Sequence, residues 1–178
     1  MIARLLSFTR VVRNGAKFDD VKADPGGGQN VTGEHFAQPG DDSVPLPTDY
    51  VLLVRVQRSG GYAAAGYIDP LNAGAAAPGE RRLYSRDGDG APVATVWLKN
   101  NGSVVLANDN GYLELTATGA IRGENGAGFF ELETSGDFVA NDAKLTADGD
   151  VVTSDDISLR SHVHGGVTVG TGVSGGPQ

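Results

Sequence analysis

Residues 102–140 read GSVVLANDN-GYLELTAT-GAIRGENGA-GFFELETS-GDFVA, each piece opened by a glycine: Gly102, Gly111, Gly119, Gly128 and Gly136. The steps between these glycines are 9, 8, 9 and 8 residues. Behind each lies a short apolar burst: Ser103–Leu106, Tyr112–Leu115, Ala120–Ile121, Phe129–Leu132 and Asp137–Ala140. A further turn at Asp148-Gly149 precedes Val151 and Val152. The spacing predicts an internal repeat of strand plus Asn-Gly or Asp-Gly type turn. Within the bursts the pattern alternates with period two: Leu113 and Leu115 with Tyr112 and Glu114, Phe130 and Leu132 with Glu131 and Glu133. Each strand then has one apolar face and one wet, often acidic face. No helical pattern supplies an opposite wall. A ribbon of ~50 residues with two or three inward side chains per strand does not bury its apolar row alone. Three copies wound about one axis do, with Leu, Phe and Val inside and Asp and Glu outside. A single-chain β-solenoid is the alternative, and it usually needs coils of ~20 residues.

Composition agrees with this reading. The chain has 178 residues, 27 of them glycine, no cysteine and a formal charge of −8. Without cysteine there is no disulfide scaffold and no thiolate-ligated zinc or iron–sulfur site. No run approaches ~18 apolar residues, so no helix is expected to span a membrane. The first twelve residues mix apolar residues with Arg4 and Arg10 and lack the unbroken apolar stretch of a signal peptide. They are expected to begin the folded part or to dock on another protein, and the chain to be made in the cytoplasm. Residues 91–178 hold only four basic side chains (Lys99, Arg122, Lys144, Arg160) against eleven acidic ones. Nucleic acid is therefore an unsuitable partner, because phosphate binding needs clustered Lys and Arg.

The N-terminal half reads differently. Residues 24–48 are loop-rich, with Pro25, Gly26–Gly28, Pro39, Gly40, Pro45 and Pro47. Tyr50–Gln57 and Tyr62–Ile68 form a strand pair turned at Ser59–Gly61, and Val93–Leu98 is another short strand after the Asp87–Gly90 turn. Short strands with long polar loops over roughly residues 10–95 predict a small β-barrel.

Near the C-terminus stands Ser161-His162-Val163-His164-Gly165-Gly166. On a strand, His162 and His164 share a face and Ser161 points away. Two imidazoles in one chain make a poor metal site. Three chains bring six, which suits an octahedral ion such as Fe(II) better than four-coordinate zinc. Such a site needs neutral histidine and weakens as pH falls through ~6.5. Exposed polar strand residues are the plainer reading of HxH. The same alternation argues against a hydrolase triad at Ser161. Asp155 and Asp156 precede this segment as solvated turn residues, or as ligands of a second cation on the axis. Asp87-Gly88-Asp89 and Asp148-Gly149-Asp150 lack the Glu of a calcium loop and read as turns. Gly170-Thr171-Gly172-Val173-Ser174-Gly175 has no helix behind it and is no phosphate loop. His35 stands alone.

The run Ile157-Ser158-Leu159-Arg160-Ser161-His162-Val163-His164-Gly165-Gly166-Val167, with the Gly/Ser-rich tail to Gly175-Gly176-Pro177, resembles the apex of baseplate central spikes (baseplate assembly protein V) of Mu- and P2-type contractile-tailed phages. Glu34-His35-Phe36 with Pro45-Leu46-Pro47, and Pro78-Gly79-Glu80-Arg81-Arg82-Leu83-Tyr84-Ser85, also look like the Mu-type spike. The resemblance implies an all-β homotrimer. An N-terminal OB-fold barrel (1–95) docks on the tail hub, an intertwined triple-stranded β-helix (96–154) forms the shaft, and residues 155–178 form the apex. It implies an iron ion held by His162 and His164 of all three chains, and that calcium and chloride can also sit on the axis. The implied role is a structural spike of the virion, at the tail baseplate tip, that pierces the host outer membrane during sheath contraction. Val93 leads into the repeat within ten residues, which leaves no room for the lysozyme domain of larger spikes, so no enzymatic activity is expected. The alternatives are a receptor-binding tail fibre or adhesin, and a β-helical depolymerase.

Overall fold

The structure is a computed structural model and describes residues 1–38, 40–56, 60–72, 74–163 and 170. Every regular element among them is a strand. The chain divides into two compact units, Met1–Asn100 and Asn101–Gln178.

The first unit opens with a long hairpin, β1 (Ile2–Arg13) and β2 (Ala16–Asp24). Asn14 and Gly15 join them at φ 52° and 81°, the two positive values that a two-residue type I′ turn demands. Next come β3 (Val31–His35), β4 (Tyr50–Arg55) and β5 (Tyr62–Ile68). The sheet order is β1-β2-β3-β5-β4, and it closes into a ring because β4 returns to β1. Only β3 and β5 run parallel. The ring shuts at the first residue: the Met1 ammonium donates to the Leu53 carbonyl at 2.9 Å, and the Leu53 N–H donates to the Met1 carbonyl at 2.8 Å. Alternation sends Ala3, Leu5, Val21, Ala23, Val51, Leu53 and Ala64 into the centre, with Phe8, Val31, Tyr62 and Tyr67 against them. The loop-rich segment 24–48 also contains β3. His35 lies between the rings of Phe8 and Tyr67, edge-on to both at 5.4 and 5.2 Å. One expectation changes here: the barrel, expected over roughly residues 10–95, takes its strands from Ile2–Ile68, and Val93–Leu98 belongs to the second sheet.

A polar cluster is buried in the same unit. Asp49 is 1% exposed. Its carboxylate takes both guanidinium nitrogens of Arg86 at 2.7 and 2.6 Å, and the Leu46 N–H at 2.8 Å. Arg86 also reaches Asp69 at 3.2 Å, and Asp69 accepts the Tyr84 hydroxyl at 2.7 Å. Arg86 ends β6 (Arg81–Arg86), which pairs with β7 (Pro92–Leu98). The ion pair thus ties the first hairpin of the second sheet to the loop that enters β4.

That second sheet has nine antiparallel strands in chain order. Its members in the second unit are β8 (Val104–Asn108), β9 (Gly111–Leu115), β10 (Ile121–Asn125), β11 (Gly128–Leu132), β12 (Phe138–Ala140), β13 (Ala143–Leu145) and β14 (Val151–Val152). The glycine-led bursts are these strands, apart from β13, which has no glycine before it. One tight turn recurs in this unit. In it, the first residue's N–H donates to the carbonyl four residues on and its carbonyl accepts from three residues on, at Thr116, Glu133, Thr146 and Thr153. The third residue after the first is Gly119, Gly136 and Gly149 in three of these turns, at φ 97°, 93° and 85°. In the last it is Asp156, at φ 58°, a conformation that Asp tolerates better than most side chains.

Candidate functional site

The register of the second unit lines its apolar residues up across the strands. One row runs Val104, Leu115, Ile121, Leu132, Phe138, Leu145, Val151, each directly opposite the next. A second runs Leu106, Leu113, Gly123, Phe130, Ala140, Ala143. Side chains two apart on a strand share a face, so both rows lie on one side of the sheet. In one chain this face is bare: its large side chains from Leu106 to Val151 are 37% to 47% exposed. Gly123 is required within the second row, because a Cβ there would overlap the Phe130 ring that lies across it. The other face carries the row Val105, Glu114, Arg122, Glu131, Val139, Lys144, Val152. Its charges pair locally: Arg122 with Glu124 at 3.2 Å, and Lys144 with Asp137 at 2.5 Å and Glu133 at 3.2 Å.

Beyond β14 the chain is fastened back onto the last turn. The Leu159 N–H donates to the Val151 carbonyl at 2.9 Å. The Asp150 carboxylate accepts the N–H of Val151 at 2.9 Å, the N–H of Arg160 at 3.0 Å and the Ser158 hydroxyl. Arg160 donates to the Asp148 carbonyl at 2.9 Å. The Ser158 hydroxyl and the N–H groups of Arg160 and Val151, with the Arg160 charge, hold the Asp150 carboxyl below the usual carboxylate range against the opposing effect of desolvation. Ser158 then turns to His162. Its carbonyl accepts the His162 N–H at 3.0 Å and contacts ring Nδ1 at 2.9 Å. A carbonyl only accepts, so Nδ1 carries the proton and the lone pair of the neutral ring sits on Nε2. A cleft of about 460 Å³ is lined by Asp156, Ile157, Ser158, Ser161, His162 and Val163.

The strand expected through the histidines is not found at 161–163. Residues 159–161 form a turn after the single bridge Val152↔Ser158, because Asp150 and the Ser158 hydroxyl take the N–H groups that a ladder would use. The alternation argument for Ser161 therefore lapses. A triad still lacks support, because Nδ1 meets a main-chain carbonyl where a carboxylate would be needed. His164 lies outside the described residues, as do all of Gly170–Gly175 except Gly170 itself and the reversal expected after Gly165-Gly166. Asp155 and Asp156 are exposed in the last of the four turns. In Asp87-Gly88-Asp89, the Asp87 carboxylate accepts the N–H of Asp89 at 3.0 Å and Ala91 at 2.9 Å, as turn residues do. Among the described residues of one chain, no three His, Cys, Asp or Glu side chains stand together as a metal site. Metal binding at His162 would therefore need ligands from other chains or from residues beyond those described. An imidazole protonated at Nδ1 keeps its lone pair on Nε2, the nitrogen through which such a ring ligates a metal.

Sequence reasoning did not find Asp150 and Ser158, although both stood in segments singled out for other reasons. The signal was their eight-residue separation across a predicted turn, which puts both beside the same short strand. Compared with known proteins, the chain matches no protein-family model and no curated sequence.

Proposed function

We propose that this protein is the central spike of a contractile tail baseplate, a homotrimer that pierces the host outer membrane when the sheath contracts. The observation that carries the reading is the bare apolar face of β8–β14, two registered rows long and backed by a charged face. Three such faces turned to one axis would bury both rows. At roughly 25 cal/mol per Å² of apolar surface removed from water, that burial would be the main driving force for assembly. Backbone ladders already join consecutive strands within the chain. In this reading of the triple-stranded β-helix, side chains carry the contact between chains.

The five-stranded ring supports an OB-fold hub-docking barrel, since its order closes β1-β2-β3-β5-β4 with β3 and β5 parallel. His162 and His164 of three chains are the residues that would hold an iron(II) ion, which supplies a cross-link between three thin tips. Calcium or chloride on the axis belongs to the same proposal. The protein itself works as a stiff point: it catalyses nothing, and the work comes from the sheath. An antibody to this chain should label the distal tip of the baseplate on tail particles that contain it. Label along side fibres, with saturable binding of the purified protein to a host glycan, would favour the adhesin reading. Cleavage of polysaccharide by the purified protein would favour the depolymerase.

A further inference from the structure

We infer that Asn14-Gly15 is a self-modification site, at which the folded chain converts asparagine to aspartate and isoaspartate ahead of its other Asn-Gly pairs. The inference depends on neither the trimer nor the metal reading. In this reaction the main-chain nitrogen after the asparagine gives up its proton to base and bonds to the Asn Cγ. The Cγ–Nδ2 bond breaks and ammonia leaves. Water then opens the cyclic imide. Attack at Cγ gives aspartate, and attack at the main-chain carbonyl gives isoaspartate, whose backbone is longer by a methylene. Nothing is oxidised or reduced. Glycine in the following position puts no side chain beside the attacking nitrogen. The sequence has four such pairs: Asn14-Gly15, Asn101-Gly102, Asn110-Gly111 and Asn125-Gly126. Ring closure needs an Asn side chain free to swing and a following N–H free to react.

Three of the pairs lack one of these freedoms. The Asn101 side-chain oxygen accepts the Ser103 N–H at 2.9 Å. That of Asn125 accepts the N–H groups of Ala127 and Gly128 at 2.9 and 3.0 Å. The Gly111 N–H is itself donated to Asn108 Oδ1 at 3.1 Å. Each such bond has to break first, which slows ring closure by about 2- to 10-fold. Asn14-Gly15 differs. It is the exposed turn between β1 and β2, and neither the Asn14 side chain nor the Gly15 N–H has a hydrogen-bond partner among the described residues. Nothing lies within 4 Å of the place a Gly15 Cβ would take.

The two products act differently on the hairpin. Aspartate keeps the turn, because Asp tolerates the Asn14 φ of 52°. Isoaspartate lengthens a two-residue loop whose length sets Arg13 opposite Ala16. Both add a negative charge next to Arg13, whose guanidinium already holds Asp20 and Glu34.

The test holds the purified full-length protein in mildly alkaline buffer and follows all four Asn-Gly peptides by mass spectrometry, with aspartate and isoaspartate separated by chromatography. The Asn14 peptide should convert about 5-fold faster than any of the other three, or more. In concentrated urea, where the fold is gone, the four rates should draw together. Asn108→Ala frees the Gly111 N–H and should speed conversion at Asn110 by about 2- to 10-fold. Conversion of the folded protein at Asn101, Asn110 or Asn125 as fast as at Asn14 would overturn the inference. So would an Asn14 that stays intact in the folded protein while the urea sample converts. A ranking that survives unchanged in urea would overturn it too, since local sequence rather than the fold would then set the rates.

Discussion

Phe130 and Phe138 stack with ring centroids 6.1 Å apart and planes at 27°, yet 40% and 39% of each remain exposed in the single chain. Two aromatic side chains ordered against each other and left in water mark a face prepared for a cover. A charge placed on that face should prevent the cover from closing. Leu113→Glu is expected to convert the assembled particle to single chains, because burying an unpaired carboxylate carries a penalty of several kcal/mol. Glu114→Gln, one residue along on the opposite face, should leave assembly unchanged. Sedimentation velocity of the two variants reads the difference directly.

The Asp49–Arg86 pair makes a second prediction. Arg86→Met leaves a carboxylate that is 1% exposed without its partner, and breaking a buried pair in this way destabilises by about 3–5 kcal/mol. Chemical denaturation should show that loss in the first unit. Arg10→Met removes only solvent-exposed pairs to Asp19 and Asp42, and its midpoint should move little.

Tyr67 carries a buried hydroxyl with no hydrogen-bond partner among the described residues. Burial, helped by the nearby Asp19 charge, pushes its phenol up to about 12. Tyr67→Phe removes an unsatisfied polar atom and keeps the ring against the core. It should leave stability unchanged or raise it by about 1 kcal/mol, as measured by the denaturation midpoint.

Acid should loosen both units. Lys144 first, then the Ala147 N–H, holds Asp137 below the usual carboxylate range, and Asp150 is held low by Ser158. Partial burial pushes Asp69 up, but hydrogen bonds from Asn72, Tyr84 and Leu71 with the Arg86 charge outweigh it and leave Asp69 low as well. Each is ionised in the fold at pH values where the unfolded chain, near 3.9, takes up a proton. Their contribution is complete above about pH 4 and disappears as pH falls through the lower folded values. Melting temperatures of the metal-free protein recorded from pH 6 to pH 2 should fall only below about pH 4 on this account. Asp137→Asn should shrink that fall.

Much of the second sheet was legible because its punctuation is covalent. Glycine at positive φ sits in the turns at Gly102, Gly119, Gly136 and Gly149, and two-residue alternation sorts Leu113 and Leu115 from Glu114. β13 escaped notice because Asn141, at φ 49°, turns the chain ahead of it where a glycine would have been recognised. The β1–β2 hairpin escaped for another reason: Arg4, Arg10 and Arg13 break up its apolar pattern, although Asn14-Gly15 was a sufficient turn signal. The closure of the ring and the Asp49–Arg86 pair join residues far apart in the chain, and the staple from Asp150 to His162 is made between turns. No local period encodes such contacts, so the expected strand through His162 gave way to a turn.

The central claim is that the bare face of β8–β14 is covered by two further copies of the same chain. Sedimentation equilibrium of the purified full-length protein tests it most directly. The account predicts a single species of three 18.3 kDa chains, about 55 kDa, that persists on dilution. A species of 18.3 kDa with the Leu and Phe rows still in water would contradict it.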